Sequence, residues 1–196
     1  MNKYYKIIKG NKIHDTAIIN WDKLHIGKGN IFGPYVVVGT EAQWPGHKSS
    51  GNIEIGNNNI FREFTTIHLP TKKKNLTKIG NNCYLMTMSH LGHDCILENN
   101  VVLSNNVNVA GNTYIMQSSI LGLNSIIHQD QIIGSYSMIG MGTVIGKNTL
   151  VKPGYIYTGN PARGIIKNKI GLKRNKINED KLKKETLRFN KLIKKK

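Results

Sequence analysis

Residues 88–97, MSHLGHDCIL, place His90, His93 and Asp94 within five positions of a chain otherwise dominated by Leu, Ile, Asn and Gly. An imidazole with a carboxylate beside it can act as a general base near neutral pH. The carboxylate orients the ring and stabilises the cation that forms when it takes a proton. The HLGH spacing also resembles a zinc-ligand pair. Two histidines three apart converge on a metal from a helix, but not from strand and turn, and neither Cys83 nor Cys95 offers a free thiolate. No metal site is expected.

The elements that must position these residues follow from an internal repeat. Stepping by six from Ile79 gives Leu85, Leu91, Leu97, Leu103, Val109, Ile115, Leu121, Ile127, Ile133, Ile139, Ile145 and Val151. Going backwards, Ile67, Phe61 and Ile55 keep the phase, and only Lys73 breaks it. Four residues after each aliphatic comes a small side chain such as Cys83, Ser89, Cys95, Thr113 or Ser125, with Gln131 the exception. A period of six matches neither a helix nor a stack of hairpins. It matches a coil of three short strands per turn, with aliphatics inward and small residues filling the corners. Asn pairs at 57–58, 81–82, 99–100 and 105–106 fall on the turns, and Asn tolerates φ > 0 better than most residues. The fold expected is all-β, a parallel β-helix of hexapeptide repeats. Cys83 and Cys95 are then core fillers.

Eighteen residues make one turn, so residues 18 apart stack about 4.8 Å apart. Leu91, Val109, Ile127 and Ile145 share one face, which gathers His90, His93, Gly111 and His128 on one wall. His93 and His128 are two turns apart, about 10 Å, too far to share a metal. Residues 40–52 and 70–78 are expected to leave the coil as loops, and loops on a rigid scaffold commonly build sites. The coil is expected to end after Pro153. The expected division is 1–165 for the β-helix and 166–196 for a basic tail. Within that tail one helix starts at an Asn178 cap and has Leu182, Thr186, Phe189 and Ile193 as its apolar face.

The formal charge is +17, with lysines concentrated in 71–78 and 167–196. They do not interleave with aromatics, so no nucleic-acid partner is expected. No run approaches the roughly 20 apolar residues of a membrane span, and the start lacks the apolar stretch of a signal peptide. A cytoplasmic location is expected.

The motifs SHLGHDC, IIHQ, GNPAR and GLKR, in this order, resemble the UDP-N-acetylglucosamine O-acyltransferases that open lipid A biosynthesis. The resemblance runs from about residue 53 to 174. It implies a left-handed coil, a homotrimer with sites between subunits, and no permanently bound cofactor. It also implies an acyl carrier protein or coenzyme A thioester as donor and a UDP- or dTDP-linked amino sugar as acceptor. Residue by residue, it puts the general base at His93, its polarising partner at Asp94 and the oxyanion N–H at Gly111. His68, His90, His128, Gln129 and Gln43 match acceptor-pocket positions. Asn168 and Arg174 match contacts to the donor's pantetheine arm or carrier.

Several positions depart from that pattern. Asn112 stands where the family has a histidine, and Trp44 and Gly46 stand where it has an acidic and a basic substrate contact. Asn175 replaces an arginine. Met141 replaces a glycine that sets the depth of the acyl channel, which implies a short or medium acyl chain. The implied reaction is direct acyl transfer to a nucleotide-linked amino sugar. A coenzyme A-dependent sugar acetyltransferase of surface-glycan synthesis is the alternative, and a non-catalytic β-helix scaffold a distant one.

Overall fold

The computed structural model describes residues 4–46, 48–72 and 74–195. Its strands form three sheets that wind into a left-handed parallel β-helix. One sheet of ten strands runs from Tyr5–Ile8 to Arg163–Lys167. A second, of seven, runs from Ile18–Ile19 through His90–Leu91 to Val144–Ile145. A third, of six, runs from Leu24–Ile26 through Ile96–Leu97 to Ile132–Ile133. Partners in adjacent coils are 18 residues apart: His90 pairs with Asn108, and Asn108 with Ile126.

The six-residue phase becomes the core directly. Ile67, Leu91, Val109, Ile127 and Ile145 are fully buried in one column, and Cys83, Cys95, Thr113 and Ser125 are buried at the corners. Each large aliphatic removed from water contributes about 1.5–3 kcal/mol. Gln131, the one misfit in the small-residue phase, is buried and donates its amide N–H to the Lys147 carbonyl at 3.1 Å. The corners turn through left-handed backbone: Asn58, Asn82, Asn100 and Asn106 have φ of 57°, 56°, 60° and 61°. So do less tolerant residues at the same phase, among them Met88 and Asp94.

The first loop leaves after the strand Val37–Thr40 and returns at Asn52–Ile55. The second leaves after Thr66–His68 and returns at Leu76–Ile79, so residues 76–78 belong to the coil and not to the loop expected at 70–78. The register shows why the repeat survives there. Tyr84 pairs with Ile60, 24 residues back, so the insertion is one whole hexapeptide.

Both ends differ from the sequence expectation. An antiparallel hairpin, Tyr5–Ile8 with Asn11–His14, opens the coil. The coil also continues beyond Pro153. Tyr155–Thr158 pairs in parallel with Met138–Ile139, and Arg163–Lys167 folds back antiparallel on it, crossing the expected boundary at 165. Two helices follow instead of one. Helix α1 spans Lys169–Arg174 and helix α2 spans Glu179–Ile193.

The Asn178 side chain caps α2 by accepting from the Lys181 N–H at 3.0 Å. Phe189 is buried against Met116 and Ile132, while Leu182, Thr186 and Ile193 are half-buried. Polar contacts fix the same helix: Glu185 accepts from Gln117 at 3.0 Å and from Ser135 at 2.9 Å, and Arg188 pairs with Glu98. No helix among the described residues is long and apolar enough to cross a membrane.

Candidate active site

Both loops leave the coil at one corner, between the second and third sheets. One departs after Thr40 and the other after His68, and the next coil up carries His93 and Asp94 at that same corner. The eleven- and six-residue insertions therefore overhang His93. A cleft of about 390 Å³ lies between loops and coil, lined by Gln43, Trp44, Thr71 and Asn75 from the loops and by His93, Gly111 and Gln129 from the coil.

The His93 ring lies on the cleft wall with 17% of its side chain exposed. Its Nδ1 is 2.7 Å from Oδ2 of Asp94. A carboxylate acceptor there fixes the proton on Nδ1 and leaves the Nε2 lone pair to receive another. Asp94 is held in turn: Thr71 donates its hydroxyl to Oδ2 at 2.8 Å and its backbone N–H to Oδ1 at 3.2 Å. Burial pushes the Asp94 carboxyl up. Hydrogen bonds from His93, Thr71 and Asn75 outweigh burial and hold it below the ordinary carboxylate value. Its backbone is left-handed, φ 59°, as at the other corners of the coil.

Gly111 is stacked one coil beyond His93, and a β-carbon placed on it would lie 2.3 Å from the His93 ring, far inside van der Waals contact. Glycine is required for that approach. The Gly111 N–H is open to a ligand. In this coil the N–H just before the left-handed corner residue has no backbone partner. At Asn57 and Asn81 an Asn side chain of the next coil accepts it, at 2.7 and 2.8 Å, and at Gln117 the Glu98 carboxylate does, at 2.9 Å. The Gly111 N–H makes no hydrogen bond among the described residues, and it sits beside a general-base candidate.

His90 faces outward on the second sheet, its Nδ1 2.8 Å from the Thr66 hydroxyl. Burial, and then the neighbouring His93, hold its pKa below that of a free histidine. His68 packs edge-on against it, with ring centroids 4.7 Å apart. Burial pushes His68 down to about 4, with His90 and His93 adding to the effect, and its Nδ1 has no hydrogen-bond partner. Asn112 and Asp130 stack in the corner column above Asp94, and Asn112 donates to Asp130 at 2.6 Å. His128 is exposed beside Gln129, its Nδ1 2.9 Å from that residue's carbonyl oxygen.

Of the residues singled out from sequence, Gln43, His93, Asp94, Gly111, Asn112 and Gln129 line the cleft, and His68 and His90 lie behind it. Three stand apart in the single chain. Met141 is 73% exposed at the far edge of the second sheet. Arg174 is exposed on α1. Asn168 is buried with both ends of its amide bonded, accepting from the Gly171 N–H at 3.0 Å and donating to the Tyr136 carbonyl at 2.9 Å. It holds α1 to the coil. Among the described residues no cluster of His, Cys, Asp and Glu is placed to hold a metal ion.

Thr71, Asn75 and Asp130 were not singled out, and Trp44 was noted only as a departure. Trp44 proves to lie directly against the base, its ring centroid 5.5 Å from that of His93 and tilted by 37°. Counting hexapeptides across the insertions places both loops at the corner that carries His93, but which loop residues touch the base depends on how each insertion folds back.

Residues 76–111 match the bacterial transferase hexapeptide family, described by six repeats. Among curated proteins, the acyl-[acyl-carrier-protein]–UDP-N-acetylglucosamine O-acyltransferase of Synechocystis is 39% identical over 77 residues, 39% of this chain. That match spans 28% of the relative's own length. Among solved structures, the UDP-N-acetylglucosamine acyltransferase of Bacteroides fragilis aligns with a TM-score of 0.81 at 32% identity, covering 90% of this chain and 68% of that one. The UDP-N-acetylglucosamine O-acyltransferase of Moraxella catarrhalis aligns with a TM-score of 0.67 at 30% identity, covering 87% of this chain and 80% of that one. With solved structures matched at 30% identity or more over two thirds or more of their length, the chain belongs to the UDP-N-acetylglucosamine acyltransferase family.

Proposed function

We propose that this chain transfers an acyl group from the thioester of an acyl carrier protein to a UDP-linked amino sugar. The observation that carries the reading is the His93 ring set between the Asp94 carboxylate, 2.7 Å away, and the backbone of Gly111. Nε2 of His93 takes the proton from the acceptor hydroxyl, or from an amine already neutral, as that atom attacks the thioester carbonyl. The Gly111 N–H receives the tetrahedral oxyanion, and one such donor is worth about 10²–10³ in rate. Collapse expels the thiolate, which takes the proton back from the imidazolium. Asp94 stabilises that cation throughout. An acyl-cysteine route is disfavoured because both thiols are buried in the core, and burial pushes Cys83 up to about 11.

The donor reading is supported by charge. The chain carries +17 overall, and Lys173 and Arg174 on α1 are exposed. Such a surface attracts an acidic carrier protein or the phosphates of coenzyme A. The acceptor meets Gln43, Gln129 and Asn112 in the cleft, with His68, His90 and His128 beside it. Exposed Leu123, Ile126 and Met141 form an apolar edge on the second sheet. This edge supports a homotrimer in which a neighbour covers it and Met141 limits the acyl channel to short or medium chains. The location is the cytoplasm, where an acyl carrier protein and nucleotide sugars meet.

The test is to incubate the chain with UDP-N-acetylglucosamine and carrier proteins loaded with acyl chains of graded length. Acylated sugar nucleotide, fastest with short to medium chains, is the expected product. Faster turnover with acetyl-coenzyme A would move the donor to coenzyme A, and no turnover with any donor would overturn the reading.

A further inference from the structure

We propose that Trp44 is the acceptor platform: its indole packs against the apolar C–H face of the sugar ring whose hydroxyl or amine is delivered to His93. This rests on the acyltransferase reading and names how that site recognises its sugar. Trp44 is 47% exposed and lines the cleft from the first loop. It is not on a loose tether. The Trp44 N–H donates to the Ala42 carbonyl at 2.8 Å, the Ala42 N–H to the Ser49 hydroxyl at 2.7 Å, and the Ser49 N–H to the Glu41 carboxylate at 2.6 Å. Ala42 itself is buried. The loop closes on its own base and holds the Trp44 backbone at the cleft.

That place is beside the base. A hydroxyl donating to Nε2 of His93 sits about 2.8 Å from it. An indole 5.5 Å from the imidazole centroid is then within van der Waals reach of the carbons that bear that hydroxyl. The rest of the cleft is polar, with Gln43, Thr71, Asn75 and Gln129 around it. A hexose fits both surfaces, since its ring has an apolar C–H face and a rim of hydroxyls. An acyl chain in the same place would leave those polar groups unpaired, at a cost.

The experiment measures steady-state kinetics and calorimetric affinity for UDP-N-acetylglucosamine with the wild type, Trp44→Phe and Trp44→Ala. Loss of one stacked aromatic corresponds to about a tenfold change. Trp44→Ala should raise the acceptor KM and Kd about tenfold, leave the donor KM unchanged and alter kcat less than threefold. Trp44→Phe should recover most of the loss. An acceptor KM within twofold of wild type, a raised donor KM, or a collapse of kcat at constant acceptor KM would each overturn the proposal. Failure of the acyltransferase reading shows separately, as a wild type that yields no acylated product. The calorimetry then decides the platform alone: a binding constant weakened by Trp44→Ala supports it, while equal affinity or no binding overturns it.

Discussion

The His93 imidazole lies against Gly111 so closely that hydrogen is the largest substituent the glycine α-carbon can carry there. The glycine thus does two things: it makes room for the base and keeps its own N–H beside it. Gly111→Ala separates the two roles, because alanine retains the N–H and the backbone at 111 is not left-handed. The added methyl must push the ring aside. Activity should fall about 10²-fold, the scale of a 1 Å misplacement of a catalytic group, while the melting temperature stays close to wild type. Activity within threefold of wild type would show that the ring and the glycine need not touch.

Asp94→Asn keeps the shape and removes the charge. Asparagine is comfortable at φ 59°, and its amide oxygen can still accept from Nδ1 of His93. The imidazolium formed during transfer would lose its counter-charge. We expect kcat to drop about 10²-fold, within the range attributed to general-base catalysis, with little change in circular dichroism. Thr71→Val should act in the same direction and more weakly, since it removes one of the hydrogen bonds that hold the carboxylate. A Thr71→Val loss larger than that of Asp94→Asn would contradict this order.

The coil was legible because its period is written into the core itself: each inward position from Ile79 to Val151 is an aliphatic, and sterics allow few alternatives. The Asn corners were legible for the same local reason. His93, Asp94 and Gly111 could be placed together because residues 18 apart must stack. The loops were harder. Their lengths can be counted, but the Thr71–Asp94 and Trp44–His93 contacts depend on how an insertion folds back, and no periodicity records that. Helix α1 escaped because six residues containing Gly171 have little helical propensity. Its stability comes from the Asn168 cap and the burial of Leu172. The opening hairpin was missed because its strands carry no six-residue repeat.

Low pH should destabilise the chain through its buried histidines. The folded pKa of His68 is about 4, against about 6.5 for an unfolded histidine. Between those values the unfolded state holds the extra proton, so stability rises with pH across the window and is lost as pH falls through it. The shift corresponds to a loss on the order of 3 kcal/mol by pH 4. His90 shifts in the same direction and adds to it. Denaturant titrations from pH 7 to 4 should show this decline, flattened in His68→Gln. A His68 pKa near 6.5 by NMR would contradict it.

Helix α2 should be held by Phe189. Its ring is 1% exposed between Met116 and Ile132, and truncating a buried Phe costs about 3–5 kcal/mol. Phe189→Ala should free the helix and speed proteolysis after Lys181, Lys183 and Lys184, as followed by mass spectrometry. Unchanged cleavage rates would place the anchorage in the contacts of Glu185 and Arg188 instead.

The central claim, that His93 takes the acceptor's proton, is tested most directly by steady-state acyl transfer from His93→Ala. The variant and the wild type should be compared at matched circular dichroism and matched oligomeric state. A loss of about 10³-fold in kcat with acceptor affinity retained is the predicted result. Turnover within tenfold of wild type would contradict it and take His93 out of the chemistry.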